Sequence, residues 1–410
     1  MIQSCVSTPS LIHYAYVFPV YVVPVPTGSK FVLGSALSDY LLPDRSTQLS
    51  QTPTVITFAL IEGSGEQVCL KMLRMWEDAL YDLKDRAKRT SALLEGLRFN
   101  SKFAPHVYLG LLPLNEEEVH SGIQVVQRER IISNPREDDL QDVEYALVME
   151  RLDENSRLDR QLRQDQRLRS AVGMEFLAKA IGWMHHQLES APDDFATFQA
   201  ITSKLEFNLN MFEQYLGESM LDETRRAVYE EVSTAVKKAL EAHKDLFHER
   251  WKAGKIKRCH GDLKSTNLWL CAKRELAGFA PPEFDGRQLF ALDGIDFRAD
   301  FYFIDTLSDI AMMAVDLEVC LTMQVAGVGE QVDGVAMARH FLDTYLQEMG
   351  ESRQEVQALL EYYMTEKALV CSYISISKGY AGSLDLAYRY LDIARVHAKW
   401  LAVLSGLLPD

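Results

Sequence analysis

The sequence predicts an α+β protein of two lobes, a small strand-rich one followed by a larger, mainly helical one. Short apolar runs at strand spacing crowd between Thr52 and Glu150, with one amphipathic helix among them. After Arg151 the apolar residues recur almost throughout at helical spacing. The change of period falls at Met149-Glu150-Arg151-Leu152, where a strand runs into the charged stretch DENSRLDRQLRQDQRLRS. The expected divisions are therefore a leader or extension over 1–51, a first lobe over 52–150 and a helical lobe over 151–410.

Composition narrows the function classes. At 410 residues, 47% hydrophobic and 25% charged, the chain has the make-up of a globular protein with sizeable cores. Its net charge of −16 argues against nucleic acid or an anionic membrane as partner, because both repel it, and is compatible with a cationic small molecule. The six cysteines are scattered without a Cys-x-x-Cys pair, which predicts a reduced, cytoplasmic protein without a structural metal. Leu11 to Pro26 is apolar but too short to span a bilayer, and Pro19, Pro24 and Pro26 interrupt it, so an edge strand or leader is expected there.

In chain order, Val55–Ile61 and Gln67–Leu73 flank Glu62-Gly63-Ser64-Gly65-Glu66, a hairpin signature. Lys71 lies inside the second strand, where a lysine needs an anion to meet. Gly63 and Gly65 stand too close to Lys71 for a phosphate-covering loop with a strand in between, so they read as plain hairpin glycines. No GxxxxGK[ST] occurs. A helix is expected over Asp82–Phe103, with Glu95 as the candidate partner of Lys71, and further strands at Val107–Leu112, Gly122–Val126 and Tyr145–Glu150. Helices are expected at Val172–Leu188, Ala196–Leu216 and Asp222–Trp251, with His185 and His186 read as surface or core. The run from Leu270 to Leu289 reads as a long hairpin loop, and a helix follows from Ser308, capped by Asp305 or Ser308. The remainder is expected to be helical, broken at 327–329, Gly350 and 379–383.

The chemistry concentrates in KIKRCHGDLKSTNLWL, residues 255–270. Asp262 follows His260 and Gly261, and Asn267 stands five positions on. That spacing suits a loop that faces a carboxylate toward an acceptor hydroxyl and an amide oxygen toward Mg²⁺ on nucleotide phosphates. Downstream, LFALDGIDF is an apolar strand ending in Asp293, a second oxygen ligand for a hard cation. A phosphotransferase is the expected class.

With HGDLKSTNLWL, LDGIDF and DTLSDIAMMAVDLE in view, the chain resembles the aminoglycoside phosphotransferase and choline-kinase-like branch of the protein-kinase-like fold. The resemblance runs from about Thr52 to Leu401 and is most specific in the loop. It implies that Asp262 is the catalytic base, that Asn267 and Asp293 bind Mg²⁺, and that Lys71 meets the α/β phosphates of ATP or GTP with Glu95 orienting it. Backbone groups of Met149, Glu150 and Arg151 would hold the base, while His260 and Asp309 would support the loop from behind. The chain departs from the narrower pattern at Lys264, where His is common; a lysine there suits the charge of a transferring phosphoryl group. The acceptor is expected to be a hydroxyl-bearing small molecule. A protein kinase and an inactive nucleotide-binding scaffold share these residues as alternatives, and oligomeric state is open. Asp262→Ala is expected to lower kcat by orders of magnitude with little effect on folding.

Overall fold

The computed structural model describes residues 21–22, 53–78, 81–195, 197–276, 278–322, 332–377 and 383–407. Most of the expected leader and the expected breaks at 327–329 and 379–382 lie outside them. The first half is built on a six-stranded sheet in the order β1-β2-β3-β6-β4, with β5 beside β2. Its strands are β1 (Tyr21–Val22), β2 (Thr54–Ile61), β3 (Gln67–Leu73), β4 (Tyr108–Leu114), β5 (Val125–Val126) and β6 (Glu144–Glu150). β2 and β3 form the expected hairpin, Leu60 opposite Gln67, and β3 pairs on its far side with β6, Lys71 opposite Leu147. Alternation then decides the faces: Val68, Leu70 and Met72 enter one apolar cluster, while Lys71 projects to the other side of the sheet.

That other side is covered by α1 (Arg86–Asn100), whose Leu93, Leu94 and Leu97 pack on Leu147 and Met149. The helix is shorter at both ends than expected, starting after Asp85 and closing with Ser101 N–H on Leu97 O. The strand expected over 122–126 is two residues long; α2 (Glu116–Ser121), capped reciprocally by Asn115 and Glu118, ends at Gly122, whose φ of +81° is not that of a strand.

The second half holds α3 (Leu158–Gln164), α4 (Ala171–His186), α5 (Phe198–Met220), α6 (Glu223–Ala242) and α7 (Lys244–Lys252). The single helix expected over 222–251 divides at His243, whose φ of −109° and ψ of 19° leave helical space. Then come β7 (Ile256–Arg258), β8 (Leu268–Ala272), β9 (Glu283–Phe284), β10 (Arg287–Ala291), α8 (Ala299–Tyr302), β11 (Phe303–Asp305), α9 (Thr306–Thr322), α10 (Gly334–Glu348), α11 (Arg353–Ser377) and α12 (Ser383–Leu404). β8 and β10 pair antiparallel around the long loop, Leu270 opposite Leu289, and β7 pairs with β11. Asp305 caps α9, accepting Leu307 N–H at 2.9 Å. Gly350, at φ +65°, lies just past the end of α10 in the connection to α11. The helices enclose the largest apolar cluster, and a second cluster spans both halves, joining Leu147 and Met149 to Cys271, Phe279 and Phe290. No helix among the described residues is long and apolar enough to cross a membrane.

Candidate active site

The loop between β7 and β8 is held from below by α9. Because β7 pairs with β11 and β11 runs directly into α9, the first turn of that helix lies under residues 260–262. Asp309 accepts His260 N–H at 3.0 Å on one oxygen and Gly261 N–H at 2.9 Å on the other. His185 Nε2 lies 3.3 Å from the same carboxylate, with its Nδ1 2.6 Å from the Tyr345 hydroxyl. Burial pushes Asp309 up, but His185, His260 and the bonded backbone outweigh it and hold the carboxyl below its usual range. Gly261 sits at φ +82°, and a Cβ there would stand 2.8 Å from Phe301 O, so only glycine fits. Two helical turns along the same face, Asp316 accepts Ser265 N–H at 2.8 Å. Its role was not read from the sequence, although the Asp309–Asp316 spacing was visible there.

Inside the loop, Asp262 is 2% exposed and each of its carboxylate oxygens takes a donor. Lys264 Nζ donates at 2.7 Å, and Asn267 Nδ2 donates at 2.9 Å as well as to Asp262 O at 2.8 Å. Burial opposes the charge on Lys264, but Asp262 outweighs it and keeps the ammonium above the ordinary lysine value. With its Nδ2 committed to two acceptors, Asn267 turns its amide oxygen elsewhere, as a metal ligand requires. A carboxylate oxygen has two lone-pair directions, so Asp262 retains capacity for an acceptor hydroxyl.

After β10 the chain turns at Asp293, which adopts φ +61°, rare for a residue with a side chain. Consecutive amides fix this turn. Leu292 N–H donates to Asn267 O at 2.9 Å, Asp293 N–H to the Tyr108 hydroxyl at 3.0 Å, Gly294 N–H to Asn100 Oδ1 at 2.9 Å, and Ile295 N–H to His260 O at 2.9 Å. His260 also uses its ring, Nε2 lying 3.0 Å from Leu292 O. The Asp293 side chain meets Lys71 Nζ at 2.7 Å, and Asp296 lies 3.5 Å from the same nitrogen. Burial disfavours the Lys71 charge, yet the two carboxylates hold it well above the ordinary value. Burial also acts on both aspartates: Lys71 overcomes it at Asp293, which falls below the usual range, and fails to at Asp296, which stays raised.

The Glu95–Lys71 pair expected from the sequence is not formed. Glu95 Oε1 accepts instead from Arg258 Nε at 3.3 Å. Arg258 is locked: it donates to Cys259 O at 3.0 Å and Ile295 O at 2.9 Å, and its guanidinium lies 3.8 Å from the Phe99 ring centre and 3.5 Å from that of Tyr302. α1 turns Gly96, not Glu95, toward the lysine's acidic partners. A Cβ on Gly96 would lie 2.6 Å from Asp296 Oδ2.

At the connection between the halves, the expected base-holding segment has already spent much of its capacity. Glu150 N–H donates to Val107 O and Arg151 N–H to Gln67 O. The Glu150 side chain is clamped by Arg274 at 2.6 and 2.7 Å, and Arg151 reaches Gln67 Oε1 at 2.7 Å. Met149 is buried in an apolar cluster against which half-buried Cys69, Trp269 and Leu292 also pack.

For Mg²⁺ the donor set fits. Asn267, just before β8, and the free oxygen of Asp293, just after the paired β10, are hard ligands, and Asp293 keeps 33% of its side chain exposed. No group of three or more His, Cys, Asp or Glu side chains among the described residues could hold a metal unaided. This donor set therefore suits a cation that arrives with phosphate oxygens of its own.

No protein-family model matches the chain, and no curated protein sequence matches it. Among solved structures, ethanolamine kinase of Plasmodium vivax aligns at 10% identity and a TM-score of 0.40, over 85% of this chain and 83% of that one. Glucosamine kinase aligns in two crystal forms, at 13% identity and TM-score 0.44 over 91% and 84% of the two chains, and at 14% and 0.41 over 94% and 100%.

Proposed function

We propose that the protein is a small-molecule phosphotransferase of the aminoglycoside phosphotransferase and choline-kinase-like kind, moving the γ-phosphoryl group of ATP or GTP to a hydroxyl. The convergence of Lys71, from a strand of the first half, on Asp293, 222 residues later in a turn whose Leu292 amide bonds Asn267 of the Asp262 loop, carries this reading.

Mg²⁺, bound through Asn267 and Asp293 together with the nucleotide, would neutralise the phosphate charge. Lys71, which contacts both Asp293 and Asp296, would hold the α/β phosphates, and Asp293 would serve the cation. Asp262, fixed by Asn267 and Lys264, orients the acceptor hydroxyl and takes its proton. Lys264 stands on Asp262 and from there faces the charge of the group in transfer. Asp309 and Asp316 hold the loop rigid, so positioning is built in before the substrates arrive.

The test is thermal unfolding of the wild type with ATP or GTP and Mg²⁺, run beside Asp293→Ala and Lys71→Ala. A Mg²⁺-dependent rise in wild type, absent from both variants, is expected because a ligand of the native state raises apparent stability. Nucleoside diphosphate release over a panel of hydroxyl acceptors, amine-bearing ones included, then identifies the substrate. A folded wild type that shifts with neither nucleotide refutes the reading.

A further inference from the structure

Lys71 has two carboxylates, and they are not equivalent. Asp293 is partly open and is needed for the cation in the function proposed above, on which this inference rests. Asp296 is closed in, with 9% of its side chain exposed and Gly96 of α1 lying directly over its carboxylate. Glu95 is committed to Arg258, and releasing it would break a guanidinium bonded to both the loop and the Asp293 turn.

We infer that Asp296 is the positioning residue for Lys71, the carboxylate that keeps its ammonium aimed at the nucleotide phosphates once Asp293 is engaged elsewhere. Glycine at 96 is part of the device, because any side chain there displaces the Asp296 carboxylate.

Calorimetric titration of the full chain with Mg²⁺·ATP and Mg²⁺·GTP tests this, using wild type, Lys71→Ala, Asp296→Asn, Gly96→Ala and Glu95→Gln. Asp296→Asn is expected to raise Kd for the better nucleotide on the order of tenfold, the scale of one charge-assisted contact. Gly96→Ala should do the same without lowering the melting temperature of the free protein, since alanine favours the helix and only the end of a flexible side chain must move. Binding of the matching nucleoside, which has no phosphates, should be unchanged in both, an outcome that general loosening of the site would not give. Glu95→Gln should leave Kd for Mg²⁺·nucleotide as in wild type. If wild type binds, Lys71→Ala does not, and Asp296→Asn and Gly96→Ala bind like wild type, the inference fails while the functional reading stands. Loss of binding in Glu95→Gln in place of Asp296→Asn likewise overturns it. If wild type itself binds no nucleotide, the functional reading fails and takes this one with it.

Discussion

His397 should stabilise the helical half only while its ring is protonated, and that contribution should fade as the pH rises through about 9. This residue of α12 lies between Glu361 of α11, 2.7 Å from Nδ1, and Glu318 of α9, 3.3 Å from Nε2. Burial by itself lowers the imidazole pKa, but the two carboxylates outweigh it and push it from 6.5 up to about 9. The folded value lies above the unfolded one, so the stabilisation is fully present below about pH 6.5 and is lost as the pH rises through about 9. A gap of about 2.5 units at about 1.4 kcal/mol each amounts to about 3 kcal/mol. Lys204, pushed down to about 8 chiefly by burial, titrates in the same window with the opposite sign, so the wild-type curve alone is not diagnostic. The useful quantity is the difference in unfolding free energy between wild type and His397→Gln, from urea titrations at pH 6.5, 8 and 9.5. It should fall by about 3 kcal/mol across that range. A difference that stays flat or grows, or a His397 ring that titrates by NMR at or below 6.5, refutes the reasoning.

Two further outcomes follow from the loop. Asp309→Ala strands the His260 and Gly261 amides in a site with no exposure, and should cost roughly 3–5 kcal/mol by urea unfolding, enough to lose nucleotide turnover as well. Asp262→Ala is more disruptive than the loop position of that aspartate suggested, because it leaves the Lys264 ammonium buried without its carboxylate. It should lower the melting temperature; Asp262→Asn keeps an oxygen for Lys264 but sets an amide nitrogen against Asn267 Nδ2, so it should melt between that variant and wild type while lowering the proposed phosphoryl transfer on the order of a hundredfold or more.

What the sequence revealed was local. The β2–β3 hairpin, α4 and the Asp262–Asn267 spacing are set by neighbours within a few positions, and all stand where their patterns put them. Lys71 stood out because a lysine in an apolar strand needs an anion. Which anion it meets was not legible, since that depends on how α1 is rotated against a turn some 200 residues away in the chain. Gly96 is the residue that decides it, and a glycine inside a helix announces only a close approach, not what approaches. Arg258 was hidden in the same way: beside Cys259 and His260 it reads as one more basic residue, and its contacts come from α1, α8 and the Asp293 turn. The pairing of β7 with β11 is three residues long, too short for any periodicity to show.

The amides of residues 292–295 are tied in turn to Asn267, Tyr108, Asn100 and His260. The outer two anchors belong to the loop between β7 and β8 and the inner two to the sheet half, so this short turn acts as a seam sewn from both sides. Swinging one half about an axis away from the seam stretches at least one stitch. Asp293 sits between these anchors, within the segment that both halves hold. In the function proposed above, the cation would therefore lie at the point where the two halves are tied most closely.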